Sequence, residues 1–173
     1  MKSIYLIGSL RNGQIPITAA SLRTLGYDVF DDWFSAGPEA DDHWRAYEQA
    51  RGKTYVEALA SPAAQHVFAF DKHHLDRCAI GVLVMPAGKS GHMELGYMAG
   101  QGKPTYVLMD GPPADGRWDV MYGFHKVVTE FSELAKALHQ LPAQTHYVVQ
   151  CPIVHGECRQ LHCVSAGKCV VDG

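Results

Sequence analysis

Runs of basic residues are missing from this sequence, and so is any long apolar stretch. Lys and Arg number 15 against 18 Asp and Glu, a formal net charge of -3, and the basic residues are scattered. That distribution offers no groove for a nucleic-acid polymer. No apolar segment approaches the roughly 20 residues of a membrane span, which argues against a membrane partner. The lysine and spacing of a phosphate-binding P-loop are absent, as is the GxGxxG dinucleotide fingerprint. Paired CxxC motifs are lacking too, and Cys78 is the lone cysteine before residue 151. The opening MKSIYLIGSL has one early lysine and an apolar run but passes into Arg11 and Asn12 without a small-residue cleavage site. It reads as a first β-strand and not as a signal peptide. On that reading the five cysteines are expected to be reduced thiols in a cytoplasm.

What is present is an ordinary globular composition, 47% hydrophobic and 19% charged over 173 residues. That length supports one well-buried core. Residues 3–8 (SIYLIG) form a continuous apolar run, as a strand buried on both faces does. A helix is expected over 15–25, with Gly26 just past its end, then a short strand over 27–30 (YDVF). Asp41 or Asp42 is placed to cap a long helix reaching about residue 59, with Trp44, Tyr47 and Tyr55 marking its faces. Residues 66–70 (HVFAF) read as a third strand, with a helical connection over 72–78. Residues 80–85 and 105–109 read as strands four and five, with a short helix between them. A last amphipathic helix covers about 130–140. Strands alternating with helices predict an α/β fold: a doubly wound, flavodoxin- or Rossmann-like parallel sheet of five strands with helices on both faces. The expected division is an α/β domain over 1–142 and a Cys/His-rich extension over 143–173.

Three groups of residues suit chemistry. GSLRNG (Gly8, Ser9, Leu10, Arg11, Asn12, Gly13) joins strand one to helix one, where backbone N–H groups can cradle an anion with Arg11 as counter-charge. The alternative is a plain tight turn with a solvated arginine. Gly88-Lys89-Ser90-Gly91 precedes a helix expected to start near His92, a second polar cradle facing the first. Glu94 then falls in the first helical turn at the carboxyl end of a strand, the place where open α/β sheets bind ligands. There the helix dipole is expected to hold it ionised near neutral pH. An ionised carboxylate can attack an electrophilic carbon, as glycosidases do at an anomeric centre. The plainer reading is a helix-favourable acid with no further role. Asp71 and Asp76 before strand four, and Asp31 and Asp32 after strand two, are the acids available to handle a proton on a leaving group.

GHMELGYMAGQGK (residues 91–103) resembles the signature of the nucleoside 2-deoxyribosyltransferase family, a small-residue turn followed by an M-E-L-G-Y core and a G-K leading into the last strand. The GSLRNG loop is similar to the phosphate loop of the related 2′-deoxynucleoside 5′-phosphate N-hydrolases, and DVMYGF (119–124) resembles a late loop that reaches a neighbouring subunit's site. The resemblance spans about residues 4–138 and is sharpest around Glu94. It implies an enzyme that cleaves or exchanges the N-glycosidic bond of 2′-deoxynucleosides or their 5′-monophosphates through a glycosyl ester on Glu94. It also implies a nucleoside or nucleotide substrate, no cofactor, and a homo-oligomer whose active sites are completed across subunits. Gly8, Ser9, Leu10, Arg11, Asn12, Gly88, Ser90, Gly91 and His92 would line the substrate pocket, with Met121 and Tyr122 from the late loop. Trp33 or Phe34 would stack on the base, and Tyr5 or Tyr97 would orient Glu94. One departure stands out: the aspartate that the family keeps at the start of strand four is replaced here by Cys78-Ala79. Asp76, or Asp71 a turn earlier, is the substitute. Without either, leaving-group protonation is weakened, and a nucleotide-binding sensor becomes the alternative.

Cys151, Cys158, Cys163 and Cys169, with His155 and His162 between them, form either a structural zinc site or a reduced-thiol appendage. Residues 147–149 suit an added strand.

Overall fold

The protein is described from a computed structural model covering residues 2–109, 111, 118–141, 162–163 and 169–170. The chain divides into two compact units, Met1–Gln140 and Leu141–Gly173. In the first, β1 (Ser3–Ile7), α1 (Gln14–Thr24) and β2 (Asp28–Phe30) lead through a 3-10 turn, Asp32–Ala36, into three helices. These are α2 (Ala40–Ala50), α3 (Tyr55–Leu59) and α4 (Pro62–Arg77). Then come β3 (Ile80–Val84), α5 (Lys89–Gly100), β4 (Thr105–Leu108), a second 3-10 turn Val120–Phe124, β5 (Lys126–Val128) and α6 (Phe131–His139). In the second unit, β6 (His162–Cys163) and β7 (Cys169–Val170) form an antiparallel ladder that pairs Cys163 with Cys169.

The five strands of the first unit make one parallel sheet in the order β2-β1-β3-β4-β5. The chain leaves β1 toward one edge and returns on its other side at β3. The β1–β3 gap is therefore the topological switch point, and the crevice beyond the carboxyl ends of these strands is the natural ligand site. Both faces of the sheet are covered, which is why β1 and β3 are almost wholly apolar. Alternate side chains divide between the layers. Tyr5, Ile7, Leu83 and Val107 pack with Leu75 of α4 and with Leu95 and Met98 of α5. Ile4, Leu6, Val82 and Leu108 take the opposite direction by the pleat, the side on which Ile15 of α1 approaches.

Three expectations are corrected. Residues 66–70 are not a strand but the middle of α4. Ser61 caps that helix by accepting from the Ala64 N–H at 3.5 Å, and Pro62 stands in its first turn. The apolar run does not mark a core, because Val67 and Phe68 are 58% and 63% exposed. The fifth strand is instead Lys126–Val128, too short to carry a period-two pattern of its own. The helix expected over 41–59 is two helices. Gly52 takes a positive φ of 73°, and Thr54 restarts the chain with a reciprocal capping box to Glu57. Asp41 and Asp42 lie in the first turn of α2, while the cap position belongs to Glu39. Finally, α5 begins at Lys89, one turn earlier than His92. Residues 147–149 lie outside the described residues.

Gly91 fixes how closely α5 approaches the sheet. A Cβ there would sit 3.1 Å from both Ile7 Cγ2 and Leu83 Cδ1, side chains already locked in the core. Gly91→Ala is therefore expected to destabilise the fold by about 1–3 kcal/mol, read as a lower urea midpoint with an unchanged slope. An unchanged midpoint would mean that the helix has room to move.

Candidate active site

Two loops meet at the switch point. After β1, the Asn12 backbone N–H donates to the Ser9 carbonyl at 2.9 Å, and the Arg11 N–H donates to Ser9 Oγ at 3.2 Å. Asn12 is buried, and its amide ties the two loops together. Its Nδ2 donates to the carbonyls of Val84 (3.3 Å) and Pro86 (3.2 Å), while its Oδ1 accepts from the Gln14 N–H at 3.0 Å. Asn12 is thus a clamp across the mouth of the sheet, with its polar atoms already used. Beyond β3, the cap position of α5 is Gly88, which has no side chain to satisfy the first-turn N–H groups. Ser90 is exposed there.

Glu94 lies in the second turn of α5, not the first. That removes the dipole argument for a permanently ionised carboxylate. Burial and the neighbouring Asp71 carboxylate push its pKa from 4.5 up to about 8. Asp71, on α4, is itself raised by burial, and it accepts a hydrogen bond from the hydroxyl of Tyr5 on β1. Burial, with the Glu94 and Asp71 carboxylates nearby, pushes the Tyr5 hydroxyl far up, so it remains a hydrogen-bond donor. Three elements, β1, α4 and α5, therefore converge on two half-buried acids and a phenol. Such a pair loses its protons in steps that belong to both groups.

Asp76 does not join them. Five residues after Asp71 on α4, it points elsewhere: Lys72 Nζ (2.6 Å), the Tyr97 hydroxyl (2.7 Å) and Gln101 Nε2 (2.9 Å) all donate to it. Those donors hold it well below the usual carboxylate range. Tyr97 is accordingly spent on Asp76 and not on Glu94. The acid beside Glu94 is Asp71, the second of the two substitutes for the missing strand-four aspartate, and not Asp76, the first.

The remaining pocket candidates divide. Trp33 packs against the core cluster containing Tyr5, and its indole N–H donates to the Leu6 carbonyl at 2.8 Å. Gly8 sits against Ile15, and Leu10 is half-buried. The Arg11 guanidinium is engaged by Asp42 of α2 at 2.6 Å. His92 Nδ1 lies 2.7 Å from the Gly88 carbonyl, which can only accept, so this nitrogen carries the ring proton. His92 Nε2 is then the acceptor for the Tyr122 hydroxyl, 2.8 Å away. The two residues secure the late 3-10 turn to the start of α5, on the helix side away from Glu94 by helical phase. Met121 is exposed in that turn.

No group of three His, Cys, Asp or Glu side chains among the described residues is arranged to hold a metal ion. Cys151 and Cys158 lie outside them, and Cys163 and Cys169 are described only as backbone in β6 and β7. A cavity of about 350 Å³ opens between Gln14, Thr18, Met85, Met109 and Phe131, and shares no lining residue with the Tyr5–Asp71–Glu94 group.

Two titration outcomes follow. Removing the like charge with Asp71→Asn lowers the Glu94 pKa while burial keeps it above 4.5, as carboxyl carbon NMR would read. An unchanged value would separate the two acids. Because the folded pKa of Glu94 exceeds its unfolded value, its stabilising contribution is complete below about 4.5 and is lost as pH rises through about 8. Glu94→Gln should flatten that decline in unfolding free energy, and an identical slope would argue against burial.

No family model matches the chain, and no curated protein does. Among solved structures the chain is similar to the 2-deoxyribosyltransferase of the psychrotolerant bacterium Bacillus psychrosaccharolyticus. The identity is 17%, the match covers 77% of this chain and 90% of that one, and the TM-score is 0.49. It is similar as well to a CMP N-glycosidase of Clostridium botulinum, at 12% identity over 80% of this chain and 99% of that one, with a TM-score of 0.45.

Proposed function

We propose that this protein cleaves the N-glycosidic bond of a 2′-deoxynucleoside or its 5′-monophosphate, with Glu94 as nucleophile and Asp71 as acid and base. What carries the reading is the pairing of two half-buried carboxyls, from α4 and α5, beside Tyr5 of β1 in a doubly wound α/β domain. Retaining glycosidases need such a pair, one member ionised to attack and one protonated to assist departure. The singly protonated pair is the competent form.

In the first step Glu94 attacks C1′, and the electrons of the C1′–N bond leave with the base. The departing nitrogen takes the proton from Asp71. A glycosyl ester on Glu94 remains. In the second step water or another base attacks C1′ and gives its proton to the Asp71 carboxylate, and Glu94 departs as a carboxylate. The hydroxyl of Tyr5 donates to Asp71 throughout, limiting the proton's freedom and orienting the acid. In this scheme Trp33 forms a wall of the base site, and the Ser9–Arg11 loop and Ser90 face the 5′ group.

An assembly is part of the reading, because large apolar side chains stand in water in the single chain. Val56, Phe68, Trp118, Val120 and Phe124 are each more than 60% exposed. A sedimentation measurement giving a monomer at micromolar concentration would remove that part alone.

A 2′-fluoro-substituted deoxynucleoside should leave a glycosyl adduct on the peptide containing Glu94, visible by mass spectrometry and absent in Glu94→Ala. Release of base with no dependence on Glu94 would end the proposal. For the wild type, kcat/KM should fall as pH rises through about 8, where the pair loses its last proton. Asp71→Asn should lower kcat by about 10²–10⁴-fold, with the smallest loss for substrates carrying good leaving groups. Equal losses for good and poor leaving groups would remove Asp71 from the proton-transfer role.

A further inference from the structure

The two oxygens of Asp42 are held by two arginines from different elements. Oδ2 lies 2.6 Å from Arg11 Nη2 in the loop after β1, and Oδ1 lies 2.9 Å from Arg45 Nη2 one turn along α2. Arg11 belongs to the loop that Asn12 clamps onto the carboxyl end of β3. A carboxylate from α2 therefore reaches back to the loop after β1 and occupies the Arg11 guanidinium. The helix that delivers it is lightly anchored, since Glu48 is the one buried residue of its eleven. Asp42 itself is partly exposed, so the pair can open toward water without disturbing the core.

We propose that Asp42 is an internal competitor for an anionic group at Arg11, so that the site admits a phosphate monoester by exchanging one anion for another. This rests on the reading that the loop after β1 faces the substrate's 5′ group. A phosphate carries about twice the charge of a carboxylate and offers three acceptor oxygens. Guanidinium can bind phosphate bidentately, whereas Asp42 meets Arg11 through Oδ2 and turns Oδ1 to Arg45, which gives phosphate the advantage in the exchange. A neutral hydroxyl has no such advantage and leaves the Arg11–Asp42 pair closed. Asp42 thereby sets the threshold of anion recognition, and α2 moves outward when the carboxylate is released.

Calorimetric titration of the full chain with inorganic phosphate, a deoxynucleoside monophosphate and the matching deoxynucleoside tests this. In Asp42→Asn the affinity for the two phosphates should rise about two- to fivefold relative to the deoxynucleoside, the effect expected from releasing one exposed ion pair. In an Arg11→Ala background the same substitution should give no gain. Asp42→Ser, checked for folding by circular dichroism, repeats the measurement without an amide. Unchanged or weaker phosphate binding in both variants overturns the inference, as does a gain that survives loss of Arg11. Absence of phosphate binding in every form overturns it too. Tighter phosphate binding with no release of base by the wild type leaves the competitor in place and removes the enzymatic reading. Base release with no Asp42 effect does the reverse.

Discussion

Two carboxyls brought close together away from water are costly unless they share a proton, and the arrangement of this domain turns on that constraint. Asp71 and Glu94 belong to separate helices, so their proximity is a property of how α4 lies against α5. That contact is secured by polar groups further along the same helices. Asp76 of α4 receives donors from Tyr97 of α5, from Gln101 at the cap of that helix and from its own neighbour Lys72. Lys103, just past α5, donates to the carbonyls of Leu75 (2.6 Å) and Asp76 (2.7 Å). These bonds fix the register of the two helices, and the like-charged pair is carried along with it. Asp76 thus has a structural part in a site it does not enter.

The sheet supplies the other half of the constraint. Parallel strands buried on both faces require a helix in each layer, and the β1–β3 reversal leaves a crevice that neither layer fills. Asn12 spans this crevice and donates to the carbonyls of Val84, at the end of β3, and Pro86, just beyond it. Gly91 lets α5 lie directly on Ile7 and Leu83. The first turn of that helix is then tied sideways through His92 to Tyr122, so the cradle at Gly88 is held from the sheet below and from the late loop beside it. Residues that suggested ligand contacts by their place in the chain are here largely the framework that holds the site rigid.

The alternation of strands and helices was legible because both-face burial leaves continuous apolar runs, as over Ser3–Ile7 and Ile80–Val84. The same rule misread HVFAF, whose apolar residues are mostly exposed on α4. Its cap, Ser61-Pro62, lay upstream of the run and gave the better signal. The split between α2 and α3 was also written locally, in Gly52 and the Thr54–Glu57 box. Strand β5 had no local signature, since three residues acquire their place from pairing with β4.

By itself the sequence determined the fold class, the position of Glu94 after a buried strand, and the loop bearing Arg11. Those features follow from local periodicity and from the glycine-bearing turns that end the buried strands. Tertiary structure alone decided that Asp71 and not Asp76 stands beside Glu94, that Arg11 is already engaged by Asp42, and that burial beside Asp71 pushes the Glu94 pKa up to about 8. A helical residue's partners depend on its angular phase and on which neighbour packs there, and desolvation depends on the whole surrounding shell. Neither quantity is carried by any short stretch of chain.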